Sequence, residues 1–168
     1  MKQDGVTLLE LVVTMTIVGI LASIAMPLSK VSTKRAQEIE LRQHLRLIRG
    51  AIDTFRLEWN RDGDVLLGPV CVKNKLTCKD VAGPYGFPKS IDMLLGVKLT
   101  GEEATVRGTT IRRYLRVMPL DPLTGKADWL LRCYKDRPKP LSWCGEDVYD
   151  VMTQSEAAAL NGTKYQDW

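Results

Sequence analysis

Val6-Thr7-Leu8-Leu9-Glu10-Leu11-Val12-Val13-Thr14-Met15-Thr16-Ile17-Val18-Gly19-Ile20-Leu21-Ala22 continues to Leu28 with a single charged residue, Glu10. At a rise of about 1.5 Å per residue, a helix over Val6 to Leu28 crosses a hydrocarbon core of roughly 30 Å. The run is too long for the apolar part of an ordinary cleaved secretory signal, and no Ala-x-Ala-like site follows it. Length and hydropathy therefore predict a single-pass helix. Glu10 is the anomaly, because a carboxylate within such a helix costs a few kcal/mol unless it is paired or held near the interface. Thr7, Glu10 and Thr14 recur at helical spacing and make a short polar stripe.

Outward from this run, Leu41, Leu45, Ile48, Ile52, Phe55 and Trp59 recur at steps of four and three, which is the apolar stripe of an amphipathic helix. Arg42, Arg46, Arg49 and Arg56 fall on its other faces, read as solvated, and His44 is expected to be exposed. Pro27 lacks an amide proton and is expected to kink the helix. If continuous, the helix from Val6 to Trp59 is about 80 Å long. Arg61-Asp62-Gly63-Asp64 then ends it through a glycine turn.

Residues 63 to 89 are rich in Gly and Pro and read as a loop excursion pinned by Cys71 and Cys78. Ser90 is expected to cap a short helix through Leu95. Thr100 to Thr110 reads as an exposed loop. The two prolines around Asp121, in Pro119-Leu120-Asp121-Pro122, make a rigid turn in which the carboxylate can bond nearby amides. Strands are expected over Asp128 to Tyr134 and Asp147 to Met152, joined by a Pro-rich turn from Asp136 to Pro140. Trp168 is expected to pack onto the sheet or close a last strand.

The cysteines are Cys71, Cys78, Cys133 and Cys144, which allow three pairings. Locality favours Cys71–Cys78 and Cys133–Cys144, and the spacings lack the close gaps of a zinc knuckle. An even count in a membrane-tethered chain points to an oxidising compartment. The net charge of +4 is interleaved with acids instead of clustered, which argues against nucleic acid as a partner. There is one histidine and no Gly-x-Ser-x-Gly elbow or Walker loop, so no enzyme is indicated.

The N-terminal pattern resembles the signal of type IV pilins and type II secretion pseudopilins: a short leader ending in Gly5, a mature chain opening Val6-Thr7-Leu8-Leu9-Glu10, then the apolar helix with Gly19 and Pro27 at fixed spacing. Val6 is smaller than the usual first residue, and Lys2 is offset by Asp4. The block Tyr114 to Gly125 resembles the turn that precedes the sheet in G-type pseudopilins, and Phe87-Pro88 resembles their Tyr/Phe-Pro before a short helix.

The resemblance implies an α+β pilin-like fold: a long N-terminal helix, half in the membrane and half amphipathic, packed on a small antiparallel sheet. It divides the chain into a leader (1–5), a transmembrane and assembly helix (6–28), the amphipathic half (29–60) and a globular periplasmic head (61–168). It further implies cleavage between Gly5 and Val6 by prepilin peptidase, methylation of the Val6 amine, and pairing of Glu10 with that amine in a neighbouring subunit. Implied partners are further copies, other pseudopilins, the peptidase and the inner-membrane secretion platform. Implied localisation is the bacterial inner membrane, single-pass, with the leader cytoplasmic, although a count over Lys2, Lys30, Lys34 and Arg35 points the other way. No cofactor is expected. Calcium, which many G-type relatives bind, would fall to Asp147, Asp150, Glu156 and Asp167. Alternatives are a type IV pilus subunit, in which Cys133–Cys144 is the C-terminal disulfide loop, and a signal-anchored periplasmic binding domain.

Overall fold

The computed structural model describes residues 7–100, 104, 108, 110–137 and 142–168, and for residues 24–27 the backbone alone. Helix α1 runs Leu8–Trp59. The chain divides into two compact units, one ending at Ile39 and the other Glu40–Trp168. In the first unit the chain is helical through position 27, so Pro27 lies within α1.

The second unit is built on one face of α1. Leu41, Leu45, Ile48, Ile52, Phe55 and Trp59 are all buried, as their spacing requires. Phe55 and Trp59 stack at 5.8 Å, and Phe55 meets Tyr114 edge-on at 5.2 Å. Each such buried side chain stabilises the unit by roughly 1.5–3 kcal/mol relative to exposure.

After α1, strands β1 (Arg61–Asp62) and β2 (Val65–Leu66) form a hairpin, pairing Asp62 with Val65. Gly63, with φ of 62°, takes the first of its two turn positions, where a type II′ turn needs glycine. The Gly/Pro-rich stretch that follows is not a plain loop. It folds into α2 (Pro69–Lys73) and α3 (Lys75–Val81), joined covalently by Cys71–Cys78 with Cα atoms 5.1 Å apart. Pro69 suits the first helical turn, where its missing N–H is no loss. Asn74, between the two helices, is buried and ties α2 to the segment after β3: Nδ2 donates to Val70 O at 3.0 Å, and Oδ1 accepts from Thr100 N at 2.9 Å. Hydrophobic counting alone could not anticipate this, because what joins the two short helices is a disulfide.

A 3₁₀ turn, Ile91–Leu94, follows; Ser90 stands at its N-cap position but its side chain makes no capping bond. Strands β3 (Val97–Lys98) and β4 (Ile111–Arg112) pair antiparallel, as do β5 (Leu130–Arg132) and β6 (Asp150–Met152). This is the α+β, pilin-like architecture, a long N-terminal helix followed by small antiparallel sheets. Among the described residues the ladders remain three separate pairs instead of one sheet.

The last pair is shorter than the sequence pattern, for a local reason. Beyond Arg132 the next amides are taken by side chains: Cys133 N donates to Asp136 Oδ2 at 2.8 Å and Tyr134 N to Asp147 Oδ1 at 3.0 Å. The Cys133–Cys144 disulfide, Cα atoms 6.1 Å apart, closes this connection. Part of the expected Asp136 to Pro140 turn, and most of the Thr100 to Thr110 loop, lie outside the described residues.

The Pro119–Gly125 block is a rigid turn around a fully buried acid. Asp121 Oδ1 accepts from Leu123 N at 2.8 Å, Oδ2 accepts from the Thr153 hydroxyl at 2.5 Å, and Gly125 N donates to Asp121 O at 2.7 Å.

Gly86 tests how closely the segment before the 3₁₀ turn packs on the end of α1. Its φ is +81°, and a Cβ there would stand 2.6 Å from Asn60 Cα. Gly162 has φ +83° with nothing within 4 Å. Gly86→Ala should therefore destabilise the fold by clearly more than the ~1–2 kcal/mol of left-handed strain expected for Gly162→Ala. Thermal unfolding of the two variants, followed by near-ultraviolet circular dichroism, checks the order.

Candidate functional site

The N-terminal part of α1 is apolar and bare. The helix is long and apolar enough to cross a membrane, and none of its apolar window is buried. Leu8, Leu9, Met15, Ile20 and Leu21 are all exposed. Its hydroxyls bond back to their own helix: Thr14 to Leu11 O at 2.9 Å, Thr16 to Val12 O at 2.7 Å, and Ser23 to Ile20 O at 2.7 Å. These side chains are thereby satisfied without water, which a hydrocarbon surrounding demands.

Glu10 is different. Thr7 precedes the first helical residue, and its Oγ1 accepts from Glu10 N at 3.3 Å, while Leu11 N donates to Thr7 O at 3.1 Å. Thr7 is therefore the N-cap and Glu10 the third helical residue. That is capping-box spacing, with the carboxylate beside the positive end of the helix dipole. The Thr-x-x-Glu signal was present in the sequence, but reading the two residues as a polar stripe missed it. Among the described residues the Glu10 carboxylate has no partner. Gly5 and Val6, and the side chain of Pro27, lie outside the described residues.

In the second unit, Arg42, Arg49 and Arg56 of α1 each dock on a partner, while Arg46 stays exposed as expected. Arg49 Nε donates to Asp150 Oδ1 at 2.7 Å, and Arg132 Nη2 donates to Asp150 Oδ2 at 2.8 Å, so one carboxylate on β6 joins α1 to β5. Arg49 Nη2 also donates to Trp168 O at 2.7 Å. Arg42 lies over the Trp168 ring at 4.1 Å, and Arg56 over Phe87 at 4.6 Å. Trp168 thus packs on α1 and on Tyr165, ring centroids 5.0 Å apart. His44 is only partly exposed, its Nδ1 2.7 Å from Leu120 O.

Nearer the end of α1, Arg112 grips Glu58 with two nitrogens, at 3.0 and 2.5 Å. Tyr114 donates to the same carboxylate at 2.6 Å and accepts from Trp59 Nε1 at 2.6 Å. Burial, then the Glu58 carboxylate, raises the Tyr114 hydroxyl above its usual pKa of 10.0. Its bond to Glu58 likewise raises Arg112.

The acids considered for calcium do not gather. Asp150 is held by two guanidiniums and Asp147 accepts from Tyr134 N. Burial raises the Asp147 pKa, against the pull of the Tyr134 N–H. Among the described residues the one grouping with metal-ligand proximity is Cys133, Cys144 and Asp147, and its two sulfurs are joined to each other.

Comparison with known proteins bears on the N-terminal segment. Residues 1–26 match the family model of the prokaryotic N-terminal methylation motif, the type IV pilin-like prepilin signal. No curated protein and no solved structure matches the chain. The match covers Gly5, Val6 and Glu10 and stops before Pro27.

Tyr114 supplies a pH test. A pKa raised on folding favours the neutral phenol, so its contribution is fully present below about pH 10 and is lost as the pH rises beyond it. Unfolding free energy should fall in that alkaline range, and Tyr114→Phe should flatten that part of the curve, as measured by denaturant titration across the range.

Proposed function

We propose that this chain is a structural subunit of a bacterial envelope filament, anchored in the inner membrane by the N-terminal part of α1 with its head in the periplasm. Within that class we read it as a pseudopilus subunit of a type II secretion system, similar to the G type. The observation that carries the reading is Glu10: a carboxylate without a partner among the described residues, on an unburied apolar helix, inside the matched methylation motif.

The chemistry runs from that group. Cleavage between Gly5 and Val6 by prepilin peptidase exposes an amine directly before the N-cap Thr7, and methylation leaves it cationic. In hydrocarbon a lone carboxylate is costly, and an ammonium from the next subunit offsets that cost. The pair forms only when a neighbour arrives, so the penalty of an isolated Glu10 favours assembly. The exposed leucines and valines then pack helix on helix. Addition of copies at the membrane platform, along with other pseudopilins, extends the filament and pushes substrates outward.

Both disulfides support a head outside the cytoplasm, since they persist in oxidising compartments. The rigid turn around Asp121 supports the pseudopilin reading. The Cys133–Cys144 loop favours the second reading, a type IV pilus subunit.

Mass spectrometry of the envelope-extracted chain should give a methylated Val6 N-terminus. Glu10→Val should insert normally but lose filament assembly. An intact Met1, with the chain monomeric in the membrane, would instead identify a signal-anchored periplasmic domain.

A further inference from the structure

A groove runs along the second unit between α1 and β4. Its floor is Gly50 and Ala51, and its rims carry Arg46, Leu47, Arg113 and Tyr114. A Cβ at Gly50 would meet nothing within 4 Å, so the floor is open space, not packed interior. Arg112 at the groove is neutralised by Glu58. Arg46 and Arg113 are not: among the described residues neither meets a carboxylate. Leu47 is half exposed beside them. The groove is therefore cationic with an apolar strip, and among the described residues no carboxylate answers the charge of Arg46 and Arg113.

The same chain presents the complementary shape elsewhere. The β1–β2 hairpin is a narrow two-residue turn carrying Asp62 and Asp64, with exposed Val65 next to them. The Asp64 side chain is fully exposed, its one ion pair among the described residues being Arg61 at 3.6 Å. An exposed acid of this kind gains little from such a contact in water. The hairpin thus offers two carboxylates and an aliphatic side chain on a turn slim enough for a groove with a glycine floor.

We infer that the groove between α1 and β4 receives the β1–β2 hairpin of a neighbouring copy, Asp62 and Asp64 meeting Arg46 and Arg113 while Val65 packs on Leu47. The two patches sit at different levels of the second unit. From Gly50 to the end of α1 is nine residues, about 14 Å of helix, and the hairpin lies beyond it. In a filament whose membrane-anchored subunits all point the same way, patches at different levels cannot pair reciprocally, so the contact is heterologous: each copy uses its hairpin on one neighbour and its groove on another. Such a contact repeats along a filament instead of closing a symmetric dimer. The inference rests on the filament reading above and adds to it a lock between heads.

The test uses the full chain, processed in membranes, with a short thiol-specific cross-linker. A chain carrying both D64C and R113C should give a ladder of covalent multimers, whereas a mixture of D64C chains and R113C chains should stop at dimers. In chains without the added cysteines, R46E with R113E should reduce the yield of sedimentable filaments about tenfold, as should D62R with D64R, and the fourfold variant with both charges exchanged should restore it. Restoration separates a lost contact from a misfolded head. If wild-type filaments form and still depend on Glu10, but positions 64 and 113 do not cross-link or the exchange does not restore assembly, the groove inference is overturned and the filament reading stands. Coupling of position 113 to a different protein also overturns it. If wild type keeps Met1 and forms no filament, both fall together.

Discussion

The head of this protein depends on the burial of one face of α1. Its strands are two or three residues long and its ladders are separate pairs, and an isolated two-stranded ladder is marginal in water. What makes them stable is the surface they share: Leu41, Leu45, Ile48, Ile52, Phe55 and Trp59, buried along the helix from Glu40 onward. The sheets are less a scaffold than a covering for this stripe. That inverts the usual order, in which a sheet provides the platform and a helix lies on it.

Apolar burial is not directional, and polar contacts set the register of the covering. Asp150 is gripped by Arg49 from the helix and Arg132 from the neighbouring strand, and Glu58 is gripped by Arg112 while accepting from Tyr114. Both are partly buried, charge-assisted and branched, the class of interaction worth more than a surface pair. Asp121, Asn74 and Asp147 do the same for turns, each satisfying backbone amides that no ladder reaches. One disulfide staples α2 to α3, and the other closes the connection between β5 and β6.

The same helix type serves two solvents. Beyond the head, α1 keeps its apolar surface bare, and its threonines and serine turn their hydroxyls onto their own carbonyls. Glu10 is the one group for which no such local solution exists. Its amide is capped by Thr7 but its carboxylate is not satisfied. An apolar helix needs no carboxylate to sit in a membrane, and in the filament reading proposed above the residue is explained by the neighbour's amine.

The linear chain by itself determined the long helix, its apolar window, the core stripe at steps of four and three, the prepilin-like spacing of Gly5, Val6 and Glu10, and the rigid turn around Asp121. All of these rest on periodicity or local chemistry, written within a few residues of one another. Tertiary structure alone decided that 63–89 contains two helices, that His44 meets Leu120, that Arg49 of α1 clamps Asp150, and that Trp168 returns to Arg42 and Arg49. Those contacts join residues tens of positions apart, and a guanidinium on an amphipathic helix looks the same in sequence whether water or a distant carboxylate will face it.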